Sequence, residues 1–191
     1  MADGPLEGAT RLSEEEHDDL IPTHITTREQ LNEWEQQNIL EAEKWAFARR
    51  RSTVMSVAFL KELHRRMFDR TWGWAGKFRT TDTNIGVPRH RIPVALRDAC
   101  DDAVLWVREQ AFPAPEAAAR FHHRLVSVHP FPNGNGRHAR LTGDVLLYTL
   151  GYPRLNWGGD RLRYIDALRA ADEADYEPLL HFLGVDDALN E

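Results

Sequence analysis

One cysteine, Cys100, stands in a chain of 191 residues. That excludes a disulfide framework and a four-cysteine zinc site, and it fits a reducing compartment. No run of about 18 apolar residues marks a membrane helix. The acidic start lacks the basic-then-apolar plan of a secretory leader, so a cytoplasmic protein is expected. A net charge of −6 argues against holding nucleic acid over the whole surface. One further absence is local. Between Ala117 and Gly143 there is no Asp or Glu, while Arg120, Arg124, Arg137 and Arg140 all fall there. A cationic stretch in an acidic chain is what an anion site needs.

What is present reads as a globular domain: 42% hydrophobic and 28% charged residues, without internal repeats or low-complexity tracts. Residues 1–25, with Gly4, Pro5, Gly8 and Pro22, read as an irregular arm. Thr26 with Glu29 and Thr27 with Gln30 form overlapping capping boxes, opening a helix over roughly 26–50. Its apolar face would carry Leu31, Trp34, Asn38, Ala42 and Trp45. A second helix is expected from Ser52 or Thr53 to Phe68. Between Trp72 and Pro93, glycines, prolines and threonines suggest loops and a β-hairpin. Its arms would be 78–85 and 91–94, with Pro93 confining the second to an edge.

Helical periodicity then resumes with Leu96, Cys100, Val104, Val107 and Ala111 on one stripe. Pro115 should open the next helix, another should run from about Asn135 to Leu150, and a last one from Leu162 to Leu183. The expected class is all-α with one small hairpin, and residues 51–191 form the main domain.

The chemistry concentrates in residues 129–140, His-Pro-Phe-Pro-Asn-Gly-Asn-Gly-Arg-His-Ala-Arg. Pro130 and Pro132 interrupt helical structure, and a Gly-Asn-Gly step leads into a new helix. Gly134 and Gly136 let backbone N–H groups approach a ligand, and the positive end of the helix dipole points at the same place. Arg137 and Arg140, three apart, can reach one anion, and guanidinium forks match phosphate oxygens. The Lys-Ser/Thr pair of a Walker A loop is missing. His129 precedes the loop, where it can take a proton from a hydroxyl. Phe131 looks like an apolar pin. An isolated Asn-Gly pair is usually a plain surface turn, but this whole combination argues for a site. His122, His123, His129 and His138 fit no ordinary zinc spacing, and the first two read as structural partners. Trp72, Trp74 and Trp157 read as anchors. Residues 164–175 could line a base pocket, with Tyr176 a weaker candidate.

These residues resemble the Fic/Doc signature H-x-F-x-(D/E)-G-N-G-R-x-x-R, matching every fixed position but one. Residues 22–28, 65–68, 74–82 and 92–97 also resemble the Fic-type branch called mobile mystery protein B, so the resemblance covers about residues 20–183. It implies a Fic fold that moves AMP from ATP, with Mg²⁺, onto a hydroxyl of a target protein. It implies further that His129 deprotonates the target. Asn135 and the Gly134 and Gly136 backbone would hold phosphates, Arg137 the β-phosphate region and Arg140 the γ-phosphate. The 78–94 hairpin would be a flap docking the target by strand addition. Asn133 stands where the family carries Asp or Glu, so it can offer Mg²⁺ an amide oxygen without charge.

Many members of the family also carry an inhibitory glutamate. Glu35, on the first helix, is the candidate to pair with Arg140, with Glu33 next. Two alternatives remain: a relative using another nucleotide or removing AMP, and a non-catalytic nucleotide-sensing or toxin–antitoxin module.

Overall fold

The computed structural model describes residues 19–185. Among them the chain is helical: α1 (Arg28–Phe47), α2 (Val57–Phe68), α3 (Ile92–Arg108), α4 (Ala114–Val128), α5 (Asn135–Leu150), α6 (Arg161–Asp172) and α7 (Glu177–Phe182). The all-α expectation holds. Residues 1–18 of the expected arm lie outside the described residues. Its described end is anchored: Leu20 forms an isolated antiparallel bridge with Trp72, and Ile21 N–H donates to the Thr71 carbonyl at 2.9 Å.

Local chemistry sets the helix starts. Thr27 and Gln30 form the capping box of α1, and Ser56 caps α2 by accepting from Phe59 N–H at 3.2 Å. The second helix therefore begins after Ser56 rather than at Ser52 or Thr53. Asp160 caps α6 through Leu162 and Arg163 N–H. The helices share one core. α4 packs against both α3 and α5, α1 against α2, and α5 also meets α1 and α2. Phe121, Leu125, Leu146 and Leu147 are buried between α4 and α5. No described helix is long and apolar enough to cross a membrane.

Three expectations need correction. Residues 78–94 contain no strand; residues 89–91 make a 3-10 turn that runs into α3, with Pro93 in its first turn. The hairpin reading misused that proline, which opens a helix as readily as it limits an edge strand. Ile92 and Leu96, both fully buried, are four apart, a helical and not an alternating spacing. The last helix is two: Ala174 takes a left-handed φ of 66° and Pro178 starts α7. On α3, Val104 lies outside the buried stripe, which runs through Ile92, Leu96, Ala99, Cys100 and Ala103.

The inward face of α1 keeps Leu31, Asn38 and Ala42 as expected but differs at one place. Trp34 is 38% exposed, and its neighbour Glu35 is buried at 6%. The Trp34 indole reaches the Arg70 carbonyl at 3.1 Å along the outside of the helix. A carboxylate, not an aromatic ring, faces the interior there. That inversion leads to the site.

Candidate active site

Helix α4 ends at His129, which adopts a left-handed conformation, φ 50° and ψ 58°, and donates its N–H to the Leu125 carbonyl. The turn swings the chain out of the helix so that Phe131 enters the core, fully buried. Its ring stacks on His64, with centroids 3.6 Å apart and planes at 13°. The Phe131 ring is thus held inside the core, against a histidine.

Asn135 fixes the same turn. Its Oδ1 accepts the Phe131 N–H at 2.9 Å and its Nδ2 donates to the Phe131 carbonyl at 2.8 Å. The side chain expected at phosphates is thus spent on the loop, leaving its backbone N–H for a ligand. Gly134, at φ 76°, starts α5; a Cβ there would stand 2.5 Å from the Phe68 ring. At Gly136 a Cβ would meet nothing within 4 Å. The first glycine is a requirement of the fold, and the second leaves open space at the helix start. α5 has no side-chain cap, so its first N–H groups and dipole end face that space.

Arg137 and Arg140 both lie at this end, but their partners differ from expectation. Glu35 Oε2 binds Arg137 Nη1 at 2.5 Å, while Glu35 Oε1 accepts from the Trp72 indole at 2.6 Å. The acid therefore sits on the first arginine of the signature and not on Arg140. Arg137 is one turn nearer the helix start, and Trp72 holds the carboxylate in place. Glu33 is exposed. Arg140 lies over the Tyr164 ring at 4.8 Å, and its Nε is buried without a hydrogen-bond partner. Such an orphaned donor is costly unless a ligand completes it. The other arginines of the acid-free stretch do not join them: Arg120 pairs with Glu116 and Arg124 with Asp102.

Asn133 Oδ1 accepts the N–H of Gly134 at 2.6 Å. No carboxylate joins it, and among the described residues no group of three His, Cys, Asp or Glu side chains could hold a metal. A Mg²⁺ ion characteristically arrives with substrate phosphates, and the Asn133 amide could add one neutral oxygen to it.

The histidines separate by environment. Burial pushes His64 down to about 2, helped by neighbouring His138, so the ring is neutral. Its Nδ1 accepts from Gly76 N–H at 3.0 Å and its Nε2 donates to the Asn133 carbonyl at 3.1 Å. His138 meets the Leu60 carbonyl at 2.9 Å and is pushed to about 4 by burial. His122 pairs with Tyr164 Oη, and His123 with Tyr176 Oη and Asp172. The structural reading of both histidines is correct. His129 stands where helix α4 gives way to the loop and is only partly buried. Its pKa lies below the ordinary value, first through burial and then through the Arg79 guanidinium, with the Val126 carbonyl opposing.

Arg79, His64 and Trp72 were not singled out from sequence as site residues. Arg79 lies inside the block of residues 74–82, Trp72 stands just before it, and His64 precedes residues 65–68. Those blocks carried part of the resemblance, and that was the available signal.

Comparison with known proteins places this geometry. A family model described as the Fic/DOC family matches residues 54–147. The protein adenylyltransferase fic-1 of Caenorhabditis briggsae is 31% identical over 134 residues, 68% of this chain and 26% of that protein. The protein adenylyltransferase Fic of Culex quinquefasciatus is 35% identical over 70% of this chain and 28% of its own length. The chain thus spans about a quarter of these curated relatives. Among solved structures, the N-terminal FIC domain of Bep8 from Bartonella sp. 1-1C superposes with a TM-score of 0.71. That match covers 88% of this chain and 93% of that one at 17% identity, a likeness of fold.

Proposed function

The chain belongs to the Fic/DOC family, and from that premise we propose that it transfers AMP from ATP to a hydroxyl side chain of a target protein. The observation that carries the reading is one arrangement: a half-buried His129 beside an uncapped helix start that bears two arginines, one of them without an acid partner among the described residues.

The chemistry follows from the parts. A target hydroxyl oxygen attacks the α-phosphorus of ATP, the α–β bridging bond breaks, and pyrophosphate leaves. His129, neutral below the ordinary histidine range, accepts the hydroxyl proton. The N–H groups at the start of α5, from Asn135 and Gly136, face the polyphosphate. Arg140, with its unpaired Nε, takes the terminal phosphate, and Arg137 the β-phosphate region once Glu35 withdraws. Little covalent work falls to the protein, so placement and charge carry the rate. Mg²⁺, when bound, screens the phosphates; Asn133 would supply one neutral oxygen to it.

Glu35 holds this site closed in our reading, because it occupies Arg137 with a carboxylate where a phosphate would bind. The target would dock along residues 78–94, which form a turn-rich segment beside His129. The buried free thiol of Cys100 accords with a cytoplasmic setting.

The test is transfer of ³²P from each α-labelled nucleoside triphosphate to protein, with His129→Ala alongside. Label from ATP that disappears in His129→Ala supports the reading; label equal in both refutes the base. Because Asn133 removes a carboxylate from the family pattern, a second reading keeps the fold with a different nucleotide. The same four-nucleotide panel decides between them.

A further inference from the structure

Three consecutive carbonyls surround the base, and all three are taken from one side. The Val128 carbonyl accepts Val87 N–H at 3.4 Å, the His129 carbonyl accepts Arg79 Nε at 2.7 Å, and the Pro130 carbonyl accepts Arg79 N–H at 2.9 Å. Both donors belong to the segment between α2 and α3. The Arg79 guanidinium goes further: Nη1 donates to the Thr81 carbonyl at 2.9 Å and Nη2 to the Val87 carbonyl. This arginine is 4% exposed. Its one ion-pair partner among the described residues, Asp82, stands 3.7 Å from Nη1 and also accepts the Arg89 N–H. A buried guanidinium satisfied mainly by backbone oxygens is an expensive device for holding a chain in shape. A surface loop has no need of it.

Gly86 completes the contact. Its φ of 94° brings the segment's backbone against the base, so that a Cβ there would stand 2.6 Å from His129 Cβ. The left-handed φ of His129 is strained for a residue with a side chain, and such strain persists only where the surroundings over-determine it. Here the surroundings are Arg79, Val87 and Gly86.

We propose that Arg79 is the positioning residue for His129: by spanning the carbonyls of His129, Thr81 and Val87 it holds the base in its left-handed turn and fixes residues 79–87 to it as one rigid unit. The segment along which a target would dock and the base that would deprotonate it then share one register. A lysine cannot replace it, because one ammonium cannot meet three carbonyls set around a planar fork.

The inference rests on AMP transfer for its kinetic part but has a readout of its own. Amide hydrogen exchange is measured on the full chain and on Arg79→Gln and Arg79→Lys. Exchange at Val87 and Arg79 (or its replacement) should rise about tenfold or more in both variants, with that of core Leu146 unchanged. If Arg79→Gln does not fold, Arg79→Lys carries the measurement. In transfer assays, kcat should fall about a hundredfold for a base displaced by roughly an ångström, while ATP affinity stays within about twofold. Gly86→Ala should show the same split between kcat and ATP binding. Val87 exchange unchanged in both Arg79 variants overturns the inference. Loss of ATP binding in step with kcat also overturns it, since it would mark a general structural role. If the unaltered chain moves no AMP, the functional reading fails, and Val87 exchange still decides what Arg79 does.

Discussion

Glu35 and Arg137, 102 residues apart in the chain, meet at 2.5 Å at the start of α5. Glu35 is nearly buried and also takes the Trp72 indole, whereas Arg137 keeps 42% of its side chain exposed. The exposed partner is the one a phosphate would need.

Replacing Glu35 with Gly should therefore raise AMP transfer by about tenfold or more, since a phosphate no longer competes with a fixed carboxylate for Arg137. The same change should lower stability. Glycine inside a helix costs about 1 kcal/mol against alanine, and the Trp72 N–H is left buried without its acceptor. Gain of transfer with loss of melting temperature is the signature. Glu33→Gly, at an exposed position, should change neither. Transfer by Glu35→Gly no greater than that of the unaltered chain would contradict the brake.

The two glycines of the loop separate fold from function. Gly134→Ala should destabilise strongly, because the left-handed φ and the Phe68 ring both forbid a Cβ. Gly136→Ala should leave the melting temperature unchanged or raise it, gaining up to about 1 kcal/mol of helix preference in open space. It should nevertheless weaken ATP binding, as the new methyl group fills the room a phosphate would use. Calorimetric binding of a non-hydrolysable ATP analogue, beside thermal melts, reads both. Unchanged affinity in Gly136→Ala would remove the phosphates from this helix start.

Much of this was legible in the residues. The signature segment announced a helix end, a proline-stiffened turn and a new helix start, and each is present. The helix expected from near Asn135 to about Leu150, with Gly151 and Pro153 beyond, spans those residues. What failed did so for physical reasons. Residues 78–94 carry the composition of a hairpin, but a buried arginine organises them, and composition cannot show which carbonyls a guanidinium will span. Helical spacing placed Leu31, Asn38 and Ala42 on the buried face of α1, and missed that Glu35 rather than Trp34 joins them. Asn135 was assigned to phosphates by type, and its amide turned out to fit the Phe131 backbone on both edges. Glu35 was expected to pair with Arg140 and meets Arg137 instead, since one helical turn along α5 is invisible from a contact partner 102 residues away.

Asn133→Asp should restore charge at the one position that departs from the family pattern. One carboxylate oxygen can keep the Gly134 N–H while the other faces outward from the loop. If the nucleotide's Mg²⁺ lies there, the concentration giving half-maximal transfer should fall about tenfold, as expected for adding a charged ligand to a hard cation. A Mg²⁺ dependence identical to that of the unaltered chain would place the ion away from residue 133.

The pH dependence of transfer reports on His129 itself. The base works only when neutral, and its pKa in the fold is lowered from 6.5 by burial and by Arg79. A lowered pKa means the imidazole sheds its proton more readily, so the active form persists as pH falls through 6.5 and is lost only below it. The acid limb of kcat/KM should accordingly lie below pH 6.5. Arg79→Gln removes a positive charge facing the ring, which makes protonation easier, and so should move that limb upward. Because Arg79→Gln also loosens the turn, any added exposure of the ring moves the limb in the same upward direction, so the shift reads the lost charge and the lost burial together. An acid limb at or above 6.5 in the unaltered chain would mean that the titrating base is not this buried histidine. Identical limbs in both would mean that the guanidinium holds the turn without tuning the ring.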